Sequence, residues 1–318
     1  MSEKKERLIV VLGPTAVGKT KLAVELAKKL GSRVISGDSM LVYKGFDIGT
    51  AKPDETEKQG VCHELIDILE PVDSFNVTDF VTLAKKKIRA ANEDKEIPIL
   101  AGGTGLYVKS LLEGYEFNVT AGDEAYRAEL QRLAEEKGGE YLYKLLLERD
   151  PEAAARIDAN NVRRVIRALE VQQLGGETIS TERQSPVGLC YDVYVVGLRR
   201  ERAALYERIN QRVDLMIEHG LIEEVKSLLN SGVPRTAQAM QGIGYKEIVR
   251  CIDGEWSYDK AVDEIKKGTR HFAKRQLTWY RKMPYIIWYD VDEMNDSALL
   301  EKVYADVRKA FAFKAERG

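Results

Sequence analysis

Cysteine is scarce: Cys62, Cys190 and Cys251 are the only three in 318 residues, they lie far apart, and no C-x-x-C occurs. This supports neither a disulfide framework nor a zinc site, and reduced structural thiols are expected. No apolar run approaches the length that crosses a bilayer. The opening MSEKKER is charged and runs straight into an apolar stretch, so it lacks the form of a secretory signal. An excess of either charge is missing too: 49 Lys and Arg against 51 Asp and Glu leave a net charge of −2. Any polyanionic partner must therefore be met by local patches. Internal repeats and low-complexity segments are absent. With 44% apolar and 31% charged residues, a cytoplasmic protein with an ordinary packed core is expected, and no membrane partner.

What is present begins with Gly13-Pro14-Thr15-Ala16-Val17-Gly18-Lys19-Thr20. It follows the apolar run Leu8–Leu12 and precedes a stretch whose Leu22/Leu26 and Ala23/Ala27 spacings suit a helix. Strand, G-x-x-x-x-G-K-[ST] and helix in that order form a P-loop. Its glycines let backbone N–H groups turn inward on an anion, and the helix N-terminus adds partial positive charge. Lys19 can reach a terminal phosphate and the Thr20 hydroxyl can sit on Mg²⁺. The loop alone implies phosphate and leaves open which reaction is carried out.

Further strands are expected at Arg33–Gly37, His63–Leu69 and Ile97–Ala101, with helices over Ser74–Asn92 and from near Leu106 through Leu112. The polar stretch Tyr43–Gln59 reads as a loop. Strand alternating with helix predicts an α/β fold, a doubly wound parallel sheet of the P-loop NTPase type. From Asp123 to Gly175 only helical periodicity is found, punctuated at Gly138-Gly139, Pro151 and Gly175-Gly176, which predicts an all-helical insertion. Strand character returns at Asp192–Leu198 and Tyr285–Tyr289, with helices over Arg202–Asn230, Ser257–Lys282 and the C-terminus. The expected division is a core of 1–118 and 191–318 around an insertion domain of 119–190.

Several residues invite chemistry, each with a plainer alternative. Asp38 ends a strand, where a carboxylate can take a proton or simply cap the next segment. Thr104 follows Gly102-Gly103 at another strand end, where its hydroxyl can orient a ligand or cap a helix. Arg208 and Arg212 share a helix face, suited to clamping a leaving pyrophosphate or to lying solvated. Lys266–Lys282 holds seven Lys or Arg, one His and no acid, interleaved with Phe272, Trp279 and Tyr280. That pattern fits a polyanion surface or an amphipathic helix burying Phe272, Leu277 and Trp279. Arg156, Arg163, Arg164 and Arg167 form a second basic set, in which Arg163 and Arg167 share a face.

Taken together, GPTAVGKT, SGDSMLVYKGFDIGTAKP, ILAGGTGLYVKSLLEG, NNVRRVIRALEV, RINQRVDLMIEHGLIEEV, QGIGYKE and TRHFAKRQLTWYRK resemble one family. It is the bacterial-type tRNA dimethylallyltransferases, or tRNA isopentenyltransferases, and the matching stretches run in order over nearly the whole chain. The resemblance implies transfer of a dimethylallyl group from dimethylallyl diphosphate to N6 of adenosine 37 in the anticodon stem-loop of tRNA, with release of pyrophosphate. By the same resemblance Gly13 to Thr20 would hold the donor's diphosphate, with Lys19 on it and Mg²⁺ on Thr20. Asp38 would be the general base, Thr104 would hydrogen-bond at the reacting centre, and Arg212 would steady the pyrophosphate. Implied tRNA contacts are Asp38, Ser39, Met40, Leu41, Thr104, Arg127, Arg163, Arg164, Val165, Ile166, Arg167, Gln241, Gly242, Ile243, Gly244, Tyr245 and Lys246. The zinc finger of eukaryotic relatives is missing, in keeping with the lack of paired Cys and His. A monomer is expected. The alternative function on such a scaffold is an ATP-dependent kinase.

Overall fold

A computed structural model of the chain describes residues 5–115, 123–174 and 188–315. The chain forms two compact units, residues 1–113 with 189–318, and residues 114–188. The expected boundary at 118/119 and the Gly175-Gly176 punctuation lie outside the described residues.

The larger unit begins with β1 (Arg7–Leu12), which enters the glycine-lysine loop and α1 (Lys19–Leu30). Then follow β2 (Val34–Ser36), α2 (Glu55–Lys58), β3 (His63–Glu64), α3 (Val77–Glu93), β4 (Ile99–Gly102) and α4 (Gly105–Glu113). The smaller unit contributes α5 (Glu124–Lys137), α6 (Gly139–Arg149), α7 (Pro151–Arg156) and α8 (Val162–Gln173). The larger unit resumes with β5 (Asp192–Arg199), α9 (Arg202–Glu218), α10 (Leu221–Asn230), α11 (Tyr245–Ile252), α12 (Tyr258–Tyr280), β6 (Ile287–Asp290) and α13 (Asp296–Ala315).

The six strands form one parallel sheet in the order β3-β2-β4-β1-β5-β6. A parallel sheet is covered on both faces, so its strands are apolar without alternation. Leu8 to Leu12 accordingly show no solvent exposure. Ile9 and Val11 pack with Leu22 and Leu26 of α1, Val303 and Val307 of α13, and Ile209 of α9. Leu12 pairs with both Gly102 and Gly197, and Ser36 with Ala101. The carboxyl ends of β1, β2, β4 and β5 therefore lie along one edge, where open α/β sheets bind ligands.

The smaller unit has its own core of Leu130, Leu142, Leu146, Val165, Ile166 and Leu169. Among its described residues the regular structure is helical throughout.

Two expectations are corrected. The strand expected over His63–Leu69 stops at Glu64, because Leu65 (φ 63°) and Asp67 (φ 53°) are left-handed and turn the chain. The amides of Asp67, Ile68 and Leu69 donate instead to the carbonyls of Leu41 and Val42, and the Asp67 carboxylate accepts from Lys52. The run thus buttresses the segment after Asp38. The polar stretch Tyr43–Gln59 contains the one-turn helix α2, closed by a reciprocal Asp54–Glu57 capping box.

Candidate active site

The loop after β1 owes its shape to its ends. Leu12 is anchored in the sheet, and Val17 packs into the core below. Gly18 takes a left-handed φ of 109° to open α1, a conformation that a side chain would strain. Lys19 is folded back, its Nζ donating to the Pro14 carbonyl at 2.9 Å. Burial first, then the charge of Arg212, push its ammonium down to about 8, against an opposite pull from Asp38. Burial also lowers Arg212, with Arg208 acting in the same sense and Glu57 and Asp38 opposing. Two desolvated cations lie close together here, short of negative charge.

Two clefts meet at this point. One, of about 390 Å³, has Gly18, Lys19, Thr20, Glu57, Arg208 and Arg212 in its walls. Arg208 is held there by its Nε bond to the Ala16 carbonyl at 3.1 Å. The other, of about 380 Å³, is walled by Asp38, Ser39, Met40, Gln241–Lys246, Phe272 and Arg275 among others. Arg212 and Ala16 line both. The arrangement can hold an anion on one side of Arg212 and a second substrate on the other.

Asp38 is both a cap and an open carboxylate. Its Oδ1 accepts from the Met40 amide at 2.8 Å, which caps the turn, and Oδ2 has no hydrogen-bond partner among the described residues. Thr104 lines neither cleft, but its loop abuts that of Asp38. A Cβ on Gly102 would come within 2.5 Å of the Gly37 carbonyl oxygen, so the ends of β2 and β4 touch through glycines. A Cβ on Gly103 would lie 3.8 Å from Lys19 Nζ, which puts Thr104 next to a residue beside that ammonium.

The Gln241–Lys246 wall is built on a foundation that sequence reasoning missed. Glu224 of α10 accepts from the amides of Asp47, Ile48 and Gly49 at 2.7–3.2 Å and from the Tyr245 hydroxyl at 2.7 Å. Tyr245 is fully buried beneath Gly49, so it supports the wall more than it meets a ligand. Gly242 lies against Met40, where a Cβ would come within 2.7 Å of its Cε. Leu41 is half-buried, outside the cleft, and its carbonyl accepts from the Asp67 amide.

The basic run of α12 resolves into separate uses. Ala273, Gln276 and Tyr280 are its buried positions, whereas Phe272, Leu277 and Trp279 are only half-buried. Lys266 pairs with Asp214 at 2.6 Å, and Arg270 donates to Asn210 Oδ1 at 2.6 Å. Lys274, Arg275 and Arg281 are exposed. The signal for the buried set was a neutral Gln and a Tyr, four apart, among cations.

In the smaller unit Arg163 and Arg164 are exposed at the start of α8. Val165 and Ile166 are buried in that unit's core, which removes their side chains from any RNA surface. Arg167 and Arg127 both bond to Glu170, at 2.8 and 2.7 Å, and Glu170 has no solvent exposure. Burial alone would raise the Glu170 carboxyl, but bonds from Arg167 and Arg127 hold it below the usual range.

The residues around Lys19 can be tested against the needs of Mg²⁺. Mg²⁺ keeps several waters and takes one or two protein oxygens plus substrate phosphate. Thr20, exposed in the Lys19 cleft, presents one such oxygen. Among the described residues no group of three His, Cys, Asp or Glu could hold a metal ion. The donor set fits an ion carried by a bound diphosphate.

The IPP transferase family model matches residues 41–283, a stretch that begins just beyond Asp38. A tRNA dimethylallyltransferase of Bacillus cytotoxicus is 49% identical over 300 residues, 94% of this chain and 95% of that protein. The structure of the full-length tRNA isopentenylpyrophosphate transferase of Bacillus halodurans superposes with a TM-score of 0.75 at 44% identity, covering 98% and 99% of the two chains. A eukaryotic dimethylallyltransferase acting on tRNA gives a TM-score of 0.76 at 27% identity, over 90% of this chain and 74% of that one.

Proposed function

Since the chain belongs to the IPP transferase family, we propose that it moves a dimethylallyl group from dimethylallyl diphosphate to tRNA, at N6 of adenosine 37 beside the anticodon. The observation that carries this reading is Arg212, standing in the walls of two clefts that differ in chemistry. On one side is a phosphate-type loop with Lys19 and Thr20; on the other are Asp38 and the Gln241–Lys246 wall.

In this reading the diphosphate lies in the loop of residues 13–20, with Lys19 on its terminal phosphate. The adenine turns out of the RNA loop to enter the second cleft, since a stacked base cannot reach a recessed donor. N6 attacks the allylic carbon, forming a C–N bond as the C–O bond to the diphosphate breaks. That bond's electron pair leaves with pyrophosphate, and the proton shed by N6 passes to Asp38, whose Oδ2 is available. Adenine N6 is a poor nucleophile, so most of the acceleration comes from stabilising the leaving group. Arg212 and Lys19, both depressed by burial, are relieved as negative charge develops beside them. Thr104, on the loop that abuts the end of β2 beside Asp38, takes the role that the family resemblance assigns it, a hydrogen bond at the reacting centre. Thr20 would hold Mg²⁺ brought in with the diphosphate, and the ion would supply further charge neutralisation there. Arg163 and Arg164, with Arg127 and Arg167 steadied by Glu170, supply phosphate contacts to the anticodon stem-loop.

No helix among the described residues is long and apolar enough to cross a membrane, and we place the enzyme in the cytoplasm, acting as a monomer on tRNA. Mass spectrometry of nucleosides from tRNA incubated with the purified protein and dimethylallyl diphosphate tests the reading. N6-dimethylallyladenosine beside the anticodon is expected. Unmodified tRNA together with ADP release from ATP would favour a kinase and overturn it.

A further inference from the structure

Gln276 is a neutral amide within the basic half of α12, and it is 3% exposed. Its Oε1 accepts from the Thr15 amide at 2.9 Å, and its Nε2 donates to the Gly103 carbonyl at 2.9 Å. One turn later the Tyr280 hydroxyl lies 2.9 Å from the Gly103 carbonyl and 3.2 Å from the Gly13 carbonyl. A single helix thus ties the loop after β1 to the loop after β4. The pairing of those strands ends at Leu12 and Gly102, so beyond that point the sheet no longer fixes how far apart the loops stand. Gly103 also leaves the clamp its room, because a Cβ there would collide with Gln276 Nε2. A carboxamide offers a donor and an acceptor side by side without charge and at any pH, whereas a carboxylate cannot donate and an ammonium cannot accept.

We propose that Gln276 is a positioning residue for the transfer reaction, holding the Thr104 loop at a set distance from the diphosphate loop. The proposal rests on the function given above. Its contribution is geometric: misplacing a reacting group by about 1 Å can cost roughly 10²-fold in rate. Neither bond of the clamp reaches a substrate, so Gln276 acts through Thr15 and Gly103.

Two variants test it. Gln276→Met keeps bulk and loses both bonds; its kcat with saturating substrates is expected to fall about 10²-fold while tRNA Kd stays within about twofold. Gln276→Glu carries a built-in rescue. Its protonated acid reproduces the donor and acceptor, whereas its carboxylate repels the Gly103 carbonyl. The ratio of Gln276→Glu to wild-type kcat is therefore expected to climb as pH falls from about 8.5 to about 6, a dependence that a merely structural glutamine would not produce. A Gln276→Met kcat within about threefold of wild type, or a ratio for Gln276→Glu that is flat with pH, overturns the proposal. If Gln276→Met fails to fold, the Gln276→Glu profile decides alone. If the wild-type protein shows no prenyl transfer, the functional reading fails on its own. Titration with inorganic pyrophosphate then tests the clamp: about fivefold weaker binding by Gln276→Met supports it and unchanged binding overturns it.

Discussion

Lys19 is held between opposing demands. Its ammonium is depressed to about 8, chiefly by burial, and a bound diphosphate would bring the anionic charge that favours the protonated form. Between about pH 8 and the ordinary lysine value, binding must then take up a proton. Taken relative to Lys19→Met, so that pyrophosphate's own protonation cancels, the affinity for inorganic pyrophosphate, followed by calorimetry, is expected to stay level below about pH 8 and to fall by up to about tenfold per pH unit above it. A relative affinity unchanged through that range would detach Lys19 from the anion. The sign for stability without ligand is the reverse. Lys19 destabilises the fold while it is protonated in both states, and the penalty fades as pH climbs from about 8 towards 10.5. Asp38 allows a cleaner separation of its two functions. Asp38→Asn keeps an oxygen for the Met40 amide yet cannot accept a proton. It is expected to bind tRNA normally while single-turnover transfer drops by roughly 10²-fold or more. Near-normal transfer would leave Asp38 as a cap alone.

At the scale of elements, α10 and α12 build the site without supplying most of its chemistry. Removing the carboxylate in Glu224→Ala strands three loop amides and the buried Tyr245 hydroxyl. A loss of about 2–3 kcal/mol is expected in urea unfolding, together with a higher KM for tRNA and little change in pyrophosphate affinity. Equal weakening for both ligands would contradict the assignment of that wall to the acceptor side. Legibility in the sequence followed contiguity. Strand, glycine-lysine loop and helix are consecutive, so β1, the loop and α1 could be read directly. The Gln241–Lys246 wall came only through family resemblance. Its props, Glu224 and the amides of residues 47–49, lie some 175 residues apart and leave no local trace. The His63–Leu69 run misled because its apolar composition suits a strand, while backbone reversals at Leu65 and Asp67 follow from bonds to residues 41–42. Gln276 was given no role from the sequence, since its two partners sit in distant loops.

For the molecule as a whole, near-neutral net charge places RNA affinity on local groups. Arg163 is exposed on α8. Arg163→Ala is expected to weaken tRNA binding and to lower the slope of log K against log salt by about one. An unchanged slope would put Arg163 off the RNA. The order of the sheet has a consequence for synthesis. β1 is flanked by β4 and β5, and the whole helical unit is encoded between those two strands. One edge of β1 must therefore stay bare on the ribosome until residues 192–197 emerge. At about 5–20 residues per second that wait lasts on the order of 10–40 s. From the emergence of β4 onward the nascent half-sheet presents an unpaired apolar rim, the kind of surface through which truncated products aggregate.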